Sequence, residues 1–173
     1  MDVFEAIKKR RSVRAYTSEE VSDDKVEMLI EAARLAPSAG NVQPWEFVIV
    51  KNAETKQRLS DAALHQTFIE KAPVVIVVCA DVARSSWGYG NRGANLYCLQ
   101  DTAAATENML LAAQALELAT CWVGAFHEDE VAKVINTPMN VRPVAIIPVG
   151  HPAETTRVRP KRSLREIVHH ETF

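Results

Sequence analysis

Residues 74–79, Val-Val-Ile-Val-Val-Cys, constrain the fold more than any other stretch of this chain. They are apolar without alternation and dominated by β-branched side chains, the pattern of a strand covered on both faces. Ala72-Pro73 opens the run, so it predicts the middle strand of a sheet with a layer of other elements above and below it. A chain of 173 residues, 47% hydrophobic and 24% charged, can bury such a core as one compact unit without disulfide staples.

The remaining elements follow from periodicity and caps. Asp2 with Glu5 three residues on predicts a capped first helix with Val3, Ala6 and Ile7 inward, delivering Arg10 to the next loop. Ser22 caps a second helix in which Val26, Leu29, Ile30, Ala33 and Ala36 recur at helical spacing, ending at Pro37. A strand over 45–50, a short helix over about 54–62, strands over 120–126 and 144–149, and a helix over about 128–135 complete the pattern. Asn95 to Leu118 reads as the longest helix, rich in alanine and apolar on more than one face, suited to a buried or subunit-interface position. Residues 84–93, with two aromatics and three glycines, read as a loop, over a pocket or as a surface excursion.

Net charge of −2 leaves no overall field for nucleic acid, so basic residues matter only where they cluster. Cys79, Cys98 and Cys121 are odd in number and widely spaced, which predicts buried thiols in a reducing compartment and no metal site. The start of the chain lacks a signal-peptide pattern and no apolar stretch approaches the ~18 residues of a bilayer span. The expected location is the cytoplasm, without membrane contact.

Two segments carry chemistry. In residues 8–16, Arg10, Arg11 and Arg14 lie beside Ser12 where the first helix gives out, so guanidinium forks and a hydroxyl can converge on a phosphate. The same run also suits a solvated helix C-terminus. In residues 36–47, Pro37, Ser38, Gly40, Asn41 and Pro44 form a breaker cluster that exposes backbone N–H groups on a loop between rigid elements. Trp45 and Phe47 then read as core anchors.

With both segments in place the chain resembles the FMN-dependent nitroreductase family. The matching residues are Arg10, Arg11, Ser12 and Arg14, then Pro37, Ser38, Asn41, Gln43, Pro44 and Trp45. The likeness continues through residues 100–105 and 110–113, 121–126, 148–152 and 159–164, nearly the whole chain. It implies an α+β fold, a three-layer α/β/α sandwich with a mixed, mainly antiparallel sheet, over residues 1–173. It implies an intertwined homodimer too, in which the tail of about 151–173 wraps the partner.

The implied activity is hydride transfer from NADH or NADPH through FMN to a small acceptor such as a nitroaromatic or quinone, the two substrates alternating in one pocket. A specialised flavin branch, akin to dimethylbenzimidazole synthesis or reductive dehalogenation, and an FMN sensor or storage dimer are the alternatives. On the family pattern, Arg10 and Ser12 hold the phosphate, with Arg11 a weaker member and Lys161 and Arg162 arriving from the tail. Arg14 faces the N1 side of the ring as a charge stabiliser, and Val123, Gly124 and Ala125 line its N5 side. Gly124 also suits a strand bulge. Ser38, Ala39, Gly40 and Asn41, with Pro37, resemble the segment that meets the flavin from the second subunit. Gln43 and Gln66 are amide candidates for the pyrimidine edge. No metal or catalytic triad is expected, the flavin carrying the chemistry. One departure stands out: Glu117-Leu118-Ala119 occupies the place of a Gly-Leu-Gly string.

Overall fold

The computed structural model describes residues 1–173. Its centre is the apolar run of residues 74–79. Strand β2, Val74–Asp81, pairs antiparallel with β1, Trp45–Val50, on one side and with β4, Val141–Gly150, on the other, and with the short β3, Ala119–Thr120, the sheet order is β1-β2-β4-β3. Alternation sends Val74, Ile76 and Val78 into one core and Val75, Val77 and Cys79 into another. The first core packs against α2, Asp23–Arg34, and α6, Cys98–Ala115; the second against α3, Ala53–Ala62, α4, Phe68–Lys71, and α7, Glu128–Ile135. Each such valine withdrawn from water contributes roughly 1.5–3 kcal/mol, which is why a run without alternation specifies a sheet between two helical layers.

Caps fall where the side chains predict. Asp2 accepts from Glu5 N at 2.9 Å to start α1, Val3–Lys9, and Ser22 accepts from Lys25 N at 3.4 Å to start α2. Glu128 takes Arg142 of β4 in a two-pronged pair at 3.0 and 2.8 Å, fixing α7 to the sheet edge.

Three expectations change. Of the inward positions assigned to α1, only Ala6 is buried; Val3 and Ile7 stand more than half exposed and Phe4 is 80% exposed. The segment 84–93 is not a loop: α5 runs Val82–Arg92, capped by Asp81, whose side chain accepts from Arg84 N at 2.9 Å. Its turn breaks at Gly90, where φ 54 and ψ −141 suit glycine alone, and a π-helical turn over Gly93–Tyr97 leads into α6.

The third change concerns the strand expected over 120–126. Only β3, Ala119–Thr120, pairs with β4, and Val123 rejoins it by exchanging hydrogen bonds with Ile146 at 3.0 Å each way. Carried through in the same register, the ladder would set Cys121 opposite Pro148 on the side of β4 that Ile146 also presents. Pro148 has no N–H to give, so the ladder breaks there. The one parallel contribution is the bridge of Ser12 to Thr120, with Val13 N donating to Thr120 O at 2.9 Å.

The Gly-Leu-Gly departure is accommodated without glycine. Glu117 takes φ 61 just past α6, its N–H donating to Gln114 O and that of Leu118 to Ala113 O at 2.8 Å, a left-handed helix stop of the Schellman type. No helix is long and apolar enough to cross a membrane.

Candidate functional site

The arginine segment is held against the end of the sheet by the Ser12–Thr120 bridge. Arg10 leaves the C-terminus of α1 and its Nε stands 3.9 Å from Glu107 of α6. Arg11 turns back: its Nη1 donates to the carbonyls of Lys8 and Arg10, both at 2.7 Å, which leaves Nη2 and Nε as its remaining donors. Arg14 lies with its guanidinium 5.7 Å from the centre of the Phe68 ring, and its backbone N–H donates to Glu154 at 2.7 Å. The buried Cys121 thiol reports where these groups converge. Burial pushes it above its ordinary range, while Arg14, the Ser12 hydroxyl and Arg10 all pull the other way.

Beside this cluster the broken ladder becomes a lining. Val123 is buried, whereas Gly124 and Ala125 are exposed. Gln66 donates from Nε2 to Ala125 O at 2.9 Å and to Ala63 O at 2.8 Å, so the structure joins the Gln66 and 123–125 candidates. A Cβ added at Gly124 would meet nothing within 4 Å, and its φ is not in the left-handed region. Nothing inside the chain needs a glycine there; its missing side chain leaves open space at the surface. That space and the donor set of the arginine segment fit a phosphorylated planar cofactor.

The second segment is built as a separate platform. Ser38 Oγ accepts from Gln43 N at 3.0 Å, Asp101 of α6 accepts from Ala39 N at 3.1 Å, and Arg84 of α5 donates to Val42 O at 2.6 Å. Gln43 folds its own side chain onto Asn41 O at 3.3 Å. Between these ties Gly40, Asn41 and Gln43 take φ of 54, 58 and 55. Two of the three are not glycine and carry about 1–2 kcal/mol of strain each, retained because the ties over-determine the loop.

One chain does not bring the two segments together. Trp45, which ends the 37–44 loop, pairs with Ala80, while Ser12 reaches the sheet through Thr120, Val149 and Val74. The six residue steps along β2 from Val74 to Ala80 separate those ends by about 20 Å at the usual strand rise. A cavity of about 230 Å³ is lined by Arg10, Arg11, Glu117 and Thr120 but by none of Ser12, Arg14 or Gly124. A wider groove of about 610 Å³ between β1 and residues 135–141 holds none of the expected site residues. Lys161 and Arg162 lie exposed on the tail, with Arg162 donating to Glu166 O at 2.7 Å.

Sequence reasoning missed Asp101 as a site residue and missed α5 as the wall that carries Arg84 and Tyr89 to the second segment. The signal for α5 was Asp81 directly after the apolar run, a residue that caps a helix.

The sequence matches the profile of the Nitroreductase family over residues 7–69 and 62–151. A provisionally named NADH dehydrogenase/NAD(P)H nitroreductase of Archaeoglobus fulgidus is 36% identical over 149 residues, 84% of this chain and 82% of that protein. An FMN reductase (NADPH) of Bacillus subtilis is 28% identical, over 99% of this chain and 74% of its own length. The crystal structure of a nitroreductase family protein from Clostridium difficile superposes with a TM-score of 0.89 at 32% identity, covering 100% of both chains.

Proposed function

This chain belongs to the nitroreductase family, and from that premise we propose that it is an NAD(P)H-dependent FMN oxidoreductase whose pocket is completed by a second copy of itself. The observation that supports the reading is the placement of the two candidate segments at opposite ends of one sheet. A two-fold partner lays the 37–41 platform of one subunit over the arginine cluster of the other. Phe4 and Trp87, 80% and 93% exposed, together with Val3, Ile7 and Met28, provide apolar surface for such a partner to cover. Lys161 and Arg162, exposed on the tail, reach the partner's phosphate site in the same arrangement.

When bound, FMN supplies the hydride chemistry, accepting from NADH or NADPH and delivering to a small acceptor such as a nitroaromatic or quinone. The chain's residues supply the rest. Arg10 and Ser12 hold the phosphate with charge-assisted donors. Arg14 sets a fixed positive charge at the N1 side, where a low-dielectric wall of Phe68 makes it worth more than in water. The amides of Gly124 and Ala125 face the N5 side without side-chain obstruction, and Gln66 holds that backbone in place. Ser38 to Asn41 of the partner close the other face, with Pro37 and Gln43 fixing the loop's ends. Donor and acceptor use the same open face in turn.

The reading is tested with FMN-loaded protein mixed anaerobically with NADH and, separately, NADPH. Fast bleaching of the flavin absorbance by either donor is expected, and no bleaching by both, with FMN still bound, overturns the reductase in favour of a specialised flavin branch or a storage protein. Arg10→Ala removes about 1.5–3 kcal/mol of charge-assisted bonding, so FMN affinity falls by roughly one to two decades; unchanged affinity overturns the phosphate assignment.

A further inference from the structure

Asp101 is a buried acid with half its hydrogen-bonding capacity unused. It is 7% exposed, in the first turns of α6, and its Oδ1 accepts from Ala39 N at 3.1 Å while its Oδ2 meets no donor. No Lys or Arg forms an ion pair with it, and burial raises its pKa above the ordinary carboxylate value in spite of the Ala39 bond. For folding alone this is a poor choice, because a leucine of the same branched shape would fill the site without an orphaned polar atom. A residue that costs stability at a site is expected to serve something else there.

What it touches is the loop of left-handed residues. Ala39 opens the turn in which Gly40, Asn41 and Gln43 take positive φ, and it is only half-buried, so its amide would turn to water if the acceptor were removed. The turn itself closes through Asn41 N to Ser38 O at 3.0 Å and Val42 N to Ala39 O at 3.1 Å, and Ser38 to Gln43 and Arg84 to Val42 fix its far end; the Ala39 N–H is left to Asp101 alone.

We propose that Asp101 is a positioning residue: by holding the Ala39 N–H through Oδ1 it presets the 38–41 turn in the conformation that meets the flavin, at the expense of apo stability. The flavin half of this statement rests on the proposed function; the loop half does not. Asp101→Leu removes the acceptor at nearly constant shape, and Asp101→Asn keeps an oxygen for Ala39 while removing the charge.

Three readouts separate the possibilities: apo melting temperature, hydrogen exchange of the 39–43 amides in the apo protein, and FMN affinity. The expected result for Asp101→Leu is a melting temperature at or above wild type, exchange at 39–43 faster by about tenfold or more, and FMN affinity lower by about the same factor. Asp101→Asn is expected to return exchange and affinity to within about threefold of wild type. Unchanged exchange in Asp101→Leu, or a lowered melting temperature with exchange rising across the whole chain, overturns the proposal, as does failure of Asp101→Asn to restore the loop. Wild-type protein that binds no FMN overturns the proposed function, and the exchange data then judge Asp101 by themselves.

Discussion

Replacing Gly40 with alanine tests the second segment through two separable effects. The first is conformational: φ 54 and ψ 23 place a Cβ in the left-handed region, worth about 1 kcal/mol against alanine. The second is steric, because that Cβ falls inside the van der Waals envelope of the Tyr89 hydroxyl oxygen, with Cζ and Cε2 of the same ring at 3.2 and 3.3 Å. An overlap of this kind, relieved by a shift of the ring, adds about 1–2 kcal/mol. Gly40→Ala is therefore expected to cost about 2–3 kcal/mol, a fall of roughly 4–12 °C in melting temperature for a chain of this size. Tyr89→Phe removes the overlapping oxygen and leaves ring carbons that need move only a few tenths of an ångström. Tyr89 Oη makes no hydrogen bond in the structure, so the single change costs less than about 0.5 kcal/mol. The double variant then recovers about 1–2 kcal/mol, a coupling energy read by urea unfolding of all four apo proteins. A loss of only about 1 kcal/mol in Gly40→Ala that Tyr89→Phe does not relieve would show that the ring swings aside, and the steric reasoning would be refuted.

Two further outcomes follow from the backbone and the buried acid. Glu117→Gly at the left-handed stop of α6 is expected to raise stability by about 0.5–1 kcal/mol, while Ala115→Gly two residues earlier, inside the helix, lowers it by a similar amount; equal signs in thermal melts would contradict the Schellman assignment. Asp101 has a folded-state pKa raised above its ordinary 3.8, so the stability tied to its protonation is present below that value and lost as pH rises through the folded pKa. The apo stability gained by Asp101→Asn is thus expected at neutral pH and shrinks as the protein is titrated toward acid; a pH-independent difference in denaturant midpoints would exclude the linkage.

What the sequence disclosed, and what it withheld, divides along the range of the interactions. β2 was legible because its six-residue run reports two covered faces by itself, and α2 because its caps and its stripe are local. Helix α5 was hidden by glycine and aromatic composition that reads as irregular, although the capping aspartate lay three residues before that segment. The strand over 120–126 was overextended because the residue that breaks it, Pro148, belongs to another strand and is its neighbour only in the folded sheet. Residues of both candidate segments were legible as chemistry. Their separation at opposite ends of the sheet was not, since it depends on strand order, and Val3 and Ile7 looked inward only because an apolar stripe does not say whether its own chain or another covers it.

The sheet's two borders carry different hazards. At β3 the border is two residues long, interrupted at Pro148 and overlaid by Ser12 and Val13, so it gives a stray strand almost nothing to grip. At β1 it runs unbroken for six residues, paired only to β2, with Glu46 as its one charge and Ile49 turned to solvent. Any template for fibril growth or misassembly from the folded chain lies there, and a lysine in place of Ile49 is the change that would blunt it.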